Sequence, residues 1–154
     1  MNIVLVEPEI HWNAGNVGRT CVGTGTALHL VEPLGFKVTD KEIRRSGLDY
    51  WPKLNLKIHK NLPDFFGQLP QDASLVFFST KGKRPFDEAP YRRDSYLIFG
   101  GESKGLPAFI HKKYSENLFR IPILPAIRSL NLSSSVAAAL YQALFQTGEL
   151  ENLN

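Results

Sequence analysis

The 154-residue chain carries one cysteine, Cys21, and that scarcity excludes an internal disulfide framework. Cys21 has no partner at ligand spacing, and the four histidines, His11, His29, His59 and His111, are dispersed without a helical pair or a Cys-His set. They read as structural or surface residues, and no metal is expected. Long apolar runs are missing as well. No stretch approaches the ~20 residues of a membrane span. The start at Asn2-Ile3 leaves no room for a basic segment, an apolar core and a cleavage site. The expectation is a cytoplasmic protein with no membrane partner. There is no internal repeat, low-complexity tract or linker, and the ten prolines are scattered over loops. Strong charge of one sign is also absent: a formal +3 allows nucleic acid as a partner without demanding it. Basic residues gather at Arg44-Arg45, Lys81 to Arg84, Arg92-Arg93 and Lys112-Lys113, and a solvated surface accounts for any one of these clusters. A dinucleotide fingerprint is lacking too. Gly23-Thr24-Gly25-Thr26 has no third glycine and precedes a strand instead of following one, so it reads as a helix carboxyl-terminal turn.

What is present is alternation. Apolar runs at Ile3 to Val6, Leu28 to Val31, Leu54 to Ile58, Leu75 to Phe78, Tyr96 to Phe99 and Leu118 to Ile123 are separated by segments that read as helices. This pattern predicts an α/β fold, a mostly parallel sheet with helices on both faces. The length suits a single domain over residues 1–154. In open sheets of this kind ligands bind outside the carboxyl ends of the strands, here after Phe78, Phe99 and Ile121.

Three segments carry the chemistry. In the first, the run Ile3 to Val6 is followed by Glu7-Pro8 and then Asn13-Ala14-Gly15-Asn16-Val17-Gly18-Arg19, where Asn13 or Asn16 suits a helix start. In the second, Tyr96 to Phe99 ends in Gly100-Gly101-Glu102-Ser103-Lys104-Gly105-Leu106-Pro107, a strand edge with glycines and one carboxylate. In the third, FRIPILPAIRSLNLSSSVAAAL from Phe119 to Leu140, a strand enters a Pro-rich loop and then a helix. Ser133 or a neighbouring serine can cap that helix, and Val136, Leu140 and Leu144 recur at helical spacing. A second row, Ala137, Tyr141 and Phe145, makes the apolar surface wider than a thin covering helix needs and points to a homodimer.

In order and spacing, NxGNxxR, GxExxGLP and IPxxxxxRSLNLSxxVA resemble the three motifs of the SPOUT, or SpoU-type, RNA 2′-O-ribose methyltransferases. The opening NIVLVEPEI, the EPLGF run and RRSGLDYW resemble the short branch that modifies the wobble nucleoside of transfer RNA. The resemblance implies a deep trefoil knot at the carboxyl-terminal end, which periodicity cannot show and which general topology rules disfavour. It implies S-adenosylmethionine as cofactor, with S-adenosylhomocysteine as product and no metal, held by Phe78, Ser79, Thr80, Gly100, Ile121, Ser129 and Leu130. It further implies the anticodon arm of transfer RNA as partner, cytidine or uridine as the target, and an active site completed in a homodimer. Related enzymes acting on another transfer RNA or ribosomal RNA site, and a knotted RNA-binding protein without catalysis, are the alternatives. Relatives often have prolines where His11-Trp12 stands, a larger apolar residue at Gly18, and Pro or Asn at Gly101.

The residue types fit that chemistry. Arg19 offers a planar fork that can orient a phosphate or the hydroxyl. A guanidinium stays protonated, so the hydroxyl proton leaves to a phosphate oxygen or water rather than to Arg19. Glu102, the motif carboxylate counted with Arg19 in the catalytic set, is expected mainly to hold the glycine loop by accepting backbone amides, with substrate contact secondary. Asn131 is expected to bond to the Asn13 to Arg19 segment, since a buried amide needs a partner. Tyr141, eight residues after Ser133, joins the catalytic set through the resemblance, and Asn13, Asn16 and Asn131 form the structural and substrate loop.

Overall fold

A computed structural model describes residues 1–38 and 50–153. The expected Arg44-Arg45 cluster and most of the RRSGLDYW run lie outside the described residues. The strands are β1 (Asn2–Val6), β2 (Ala27–Val31), β3 (Leu56–His59), β4 (Leu75–Phe78), β5 (Arg84–Pro85), β6 (Tyr96–Gly100) and β7 (Leu118–Arg120). The helices are α1 (His11–Thr24), α2 (Leu62–Gly67), α3 (Ala108–Lys113) and α4 (Leu132–Gln146). The strands form one sheet in the order β3-β2-β1-β6-β4-β7-β5, and every pairing is parallel.

Side chains on a strand alternate between faces, so continuous apolar runs can feed two cores at once. Ile3, Leu5, Leu28, Leu30, Leu97 and Phe99 enter one core, closed by Ala14, Val17 and Cys21 of α1 and by Val136, Ala139, Leu140, Ala143 and Leu144 of α4. Val4, Val6, Val31, Phe77 and Ile98 enter the other, closed by Leu62 and Phe65 of α2 and Ile110 of α3. Helices therefore cover both faces. Register follows from burial: Leu5 stands between Leu30 and Phe99, all on one face. A slip by one residue would exchange the two cores.

Two helix starts differ from the sequence reading. α1 begins at His11 with Ile10 in the cap position and no side-chain cap bond, so Asn13 and Asn16 lie inside the helix. α4 is capped by Asn131, whose side chain accepts from the amides of Ser133 and Ser134, so no serine caps it. The expected turn at Gly25 is present: its φ of 65° ends α1 in the left-handed region that glycine adopts without penalty. The last strand stops at Arg120, two residues after it first pairs, because Pro122 has no amide to continue a ladder. β5, only two residues long at the sheet edge, has no apolar signature and was not expected.

Candidate active site

The sheet order sets the site. β1, β6, β4 and β7 are consecutive neighbours, and since all run the same way their carboxyl ends open on one rim. Four loops meet there: residues 7–10 after β1, 101–107 after β6, 79–83 after β4 and 121–131 after β7. Crevices at such a rim are the usual ligand positions of open parallel sheets.

A polarised chain of side chains ties three of these loops together. The Glu102 carboxylate accepts from the amide of Glu9 (2.7 Å), the amide of Ile10 (3.3 Å) and Asn13 Nδ2 (2.8 Å). Asn13 Oδ1 accepts from Asn131 Nδ2 at 2.9 Å. Asn131 Oδ1 accepts from the amides of Ser133 (2.9 Å) and Ser134 (3.3 Å). The direction is forced at every step. Helix amides can only donate, so Asn131 must turn its oxygen to them and its nitrogen outward. Asn13 must then present oxygen to Asn131 and nitrogen to a carboxylate, which can only accept. The carboxylate also lies at the positive end of α1, where negative charge is favoured. Glu102 thus grips the β1–α1 loop, not the backbone of its own glycine loop as the sequence suggested.

The glycine loop closes on itself. Gly105 donates to the carbonyl of Gly101 at 2.9 Å and holds a φ of 66°. A Cβ on Gly100 would lie 2.1 Å from the Gly105 carbonyl carbon, so Gly100 is required by the loop's own return path before any ligand arrives. A Cβ on Gly101 would stand 2.5 Å from the Glu7 carbonyl oxygen, which accounts for glycine where relatives differ. Glu9 completes the clamp by accepting from the amide and hydroxyl of Ser103. Those bonds, the hydroxyl's first, hold the Glu9 carboxyl below its ordinary pKa.

After β4, Phe78 stacks nearly parallel on Phe99 at 4.5 Å between ring centroids. Ser79 donates its amide to the carbonyl of Phe119, takes the Gly82 amide on its carbonyl and the Lys81 amide on its hydroxyl. Ser79 therefore shapes the turn, and Thr80 beside it is exposed. After β7, Ile121 packs on the first core, Leu130 is half-buried and Ser129 is exposed. Among the described residues, the backbone of 122–130 makes one internal hydrogen bond, Ile127 N to Leu124 O at 3.5 Å. This loop keeps its backbone groups available on the rim.

Arg19, Asn16 and Tyr141 lie outside the bonded chain that ties the rim loops. All three are exposed, Tyr141 at 48 %. Both helices start at the rim, where Asn13 meets Asn131, and descend from it. At 1.5 Å per residue Arg19 lies roughly 9 Å down α1 from Asn13, and Tyr141 roughly 12 Å down α4 from Ser133. Among the described residues none of the three side chains shares a hydrogen bond with the loops at the strand ends.

Three arrangements were not legible beforehand. Tyr50 and Trp51 pack against α1: the Tyr50 hydroxyl donates to the Gly15 carbonyl at 2.6 Å, and its ring centroid lies 5.6 Å from the Arg19 guanidinium carbon. Glu9 and Ser103 pair across two loops, as described. His29 and His59, dispersed in sequence, meet in the core with Nδ1 and Nε2 2.9 Å apart and rings stacked. Burial pushes His29 down to about 4 and lowers His59 as well. Burial pushes the Cys21 thiol up to about 12, so it is an inert core residue.

Among the described residues no three His, Cys, Asp or Glu side chains form a group that could hold a metal ion, and no helix is long and apolar enough to cross a membrane. Residues 1–141 match the SpoU rRNA Methylase family. The chain is 41 % identical, over 96 % of each sequence, to the tRNA (cytidine(34)-2′-O)-methyltransferase of Burkholderia pseudomallei. A solved structure on the 2-OH methylation of C/U34 on tRNA superposes with a TM-score of 0.88 at 40 % identity, covering 98 % of this chain and 96 % of that one. The SpoU methyltransferase AviRb from Streptomyces viridochromogenes, solved with AdoMet, shares the fold at 19 % identity with a TM-score of 0.82, over 95 % of this chain and 57 % of that chain.

Proposed function

Because the chain belongs to the SpoU rRNA Methylase family, we propose that it methylates the ribose 2′-hydroxyl of the first anticodon nucleoside, cytidine or uridine, of transfer RNA. The observation that carries the choice of substrate is the near-complete alignment, at about two residues in five, with an enzyme named for cytidine 34 of tRNA. The family takes its name from ribosomal RNA, but likeness at that level of identity points to transfer RNA. An anticodon loop also offers the unstacked nucleotides that proteins read in RNA.

The rim is the site for S-adenosylmethionine in this reading. Ile121 is half-buried in the core that holds the Phe78–Phe99 stack, Leu130 is half-buried in the next loop, and the 122–130 backbone offers donors and acceptors for the edge of an adenine. Thr80, Gly100 and Ser129 border the same rim, while Ser79 contributes by fixing the turn. When bound, this group would supply an electrophilic methyl carried on a sulfonium, with S-adenosylhomocysteine as the product left after transfer. The chain's own residues must align the hydroxyl and support its developing negative charge. Arg19 suits this because its fork fixes two hydrogen bonds in one plane. It stays protonated, so the hydroxyl proton passes to a phosphate oxygen or water. Glu102, Asn13 and Asn131 keep the loops in register and touch no reacting atom in this account.

The reading extends to assembly. A homodimer brings Arg19 and Tyr141 of one copy to the rim of the other, which answers their displacement down α1 and α4. Exposed Tyr141 and Phe145, the latter 69 % exposed, supply the apolar contact. One domain over residues 1–154 threaded as a trefoil knot, working in the cytoplasm, completes the proposal. The test is ribose-methylation mapping on transfer RNA incubated with the purified chain and S-adenosylmethionine. Methylation at position 34 is expected; methylation elsewhere, or on ribosomal RNA alone, refutes the substrate.

A further inference from the structure

Arg19 is the cation on which the proposed reaction depends, yet among the described residues it makes no ion pair that would hold its long side chain. What lies against it is an aromatic ring. We propose that Tyr50 is a positioning residue for Arg19: it keeps the guanidinium in one place through its ring and anchors that ring to the same turn of α1 through its hydroxyl. This rests on the role given to Arg19 above.

Gly15, Gly18 and Arg19 occupy positions i, i+3 and i+4, one face of the helix. Tyr50 touches this face at both ends and Trp51 at its middle. Its hydroxyl donates to the Gly15 carbonyl, the group that in α-helical geometry also receives Arg19's own amide. Its ring centroid stands 5.6 Å from the Arg19 guanidinium carbon, within the range where the ring's negative face attracts a cation. Trp51, the next residue, needs the bare surface of Gly18: a Cβ there would lie 3.0 Å from Trp51 Cζ3 and 3.2 Å from Leu54 Cδ2. Gly18, unusual beside the resembled family, thus lets the Tyr50-Trp51 pair sit close enough for the ring to meet Arg19. An exposed arginine has several rotamers to lose, and a ring that restricts them beforehand lowers the cost of forming its forked contact with RNA.

The experiment compares Tyr50→Leu and Tyr50→Phe, each alone and with Arg19→Ala, in single-turnover methylation at saturating cofactor and transfer RNA. Tyr50→Leu should slow the step roughly 3- to 30-fold, the span of exposed to shielded cation–π contacts, with cofactor affinity unchanged. Tyr50→Phe keeps the ring and should restore most of the rate. With Arg19→Ala already present, Tyr50→Leu should slow the reaction no further, because both act through one group. Equal slowing with and without Arg19, or a wild-type rate for Tyr50→Leu, overturns the proposal. An independent readout is the Arg19 Nε–Hε resonance of the labelled wild-type protein. A ring-current shift that Tyr50→Phe keeps is expected, and an unshifted resonance overturns the proposal even should Tyr50→Leu not fold. If wild type methylates nothing while the shift is present, the functional reading has failed and the positioning has not.

Discussion

Asn13 is the side chain whose replacement probes the rim most directly, since it is 5 % exposed and stands between Glu102 and Asn131. Asn13→Ala removes one hydrogen bond to a carboxylate and one to an amide. A bond to a charged group contributes about 1.5–3 kcal/mol and a neutral one about 1, but water can reach exposed Asn131, so a net loss of about 2–3 kcal/mol is expected. In a domain of this size that corresponds to a fall in melting temperature of roughly 4–12 °C. Asn13→Asp is the sharper change. It keeps an acceptor for Asn131 but sets a second carboxylate where Asn13 Nδ2 now lies 2.8 Å from Glu102, and like charges at such range disfavour ionisation of both. At pH 7 the Asp variant should be less stable than the Ala variant. Near pH 4 the order should reverse, because a protonated Asp can donate to Glu102 as the amide does. Urea unfolding of wild type and both variants at the two pH values reads this directly. An Asp variant as stable as wild type at pH 7, or an Ala variant within about 0.5 kcal/mol of wild type, the scatter of ordinary surface changes, would refute the relay.

Other perturbations follow from the same geometry. Arg19→Ala should leave cofactor binding intact and slow methyl transfer roughly 10²- to 10³-fold, as loss of one preorganised donor does, and Arg19→Lys should rescue little if the fork matters; single-turnover rates decide. Gly100→Val should abolish cofactor binding by forcing away the Gly105 backbone that packs on Gly100, so calorimetry should show no binding and the melting temperature should fall even without cofactor; an unchanged melting temperature would contradict it. His29, held near 4 when folded against about 6.5 when unfolded, binds fewer protons folded, so stability is whole above about pH 6.5 and is lost as pH falls towards 4. The loss is on the order of 3 kcal/mol, and His29→Gln should flatten that slope in urea titrations at pH 4 to 7. Light scattering should give a dimer that Phe145→Glu splits, with methylation lost as the dimer is lost.

The fold was legible where continuous apolar runs are long enough to serve two cores. Leu75 to Phe78 matches its strand at both ends, and the others differ by one to three residues. Boundaries failed where backbone chemistry overrides hydrophobicity. Ile121 and Ile123 are as apolar as the strand before them, but Pro122 between them ends the ladder. Leu54 is apolar for a different reason: it packs beside Trp51 at α1 and lies outside β3. The caps failed because several residues in a short polar run could serve equally. Ser133 and Asn131 are both good caps in isolation, and Asn131 occupies the position because Asn13 stands ready to take its other end.

The site was legible as three motifs but not as one object. Glu102 and Asn13 are 89 residues apart, and Asn13 and Asn131 are 118 apart. No spacing rule connects such positions; parallel strand order does, by placing the ends of β1, β6, β4 and β7 side by side. Once they are adjacent, hydrogen-bond valence fixes the direction of every amide, so a helix amino terminus at one end demands an acceptor-only group at the other. Glutamine at position 102 would break that logic, since its nitrogen would face either the amide of Glu9 or both the amide of Ile10 and the nitrogen of Asn13, whichever way it turned. The same reasoning shows why the histidine pair was not legible, although a structural role was. His29 and His59 lie 30 residues apart on adjacent strands, and pairing of Val31 with His59 draws the two rings together inside the sheet.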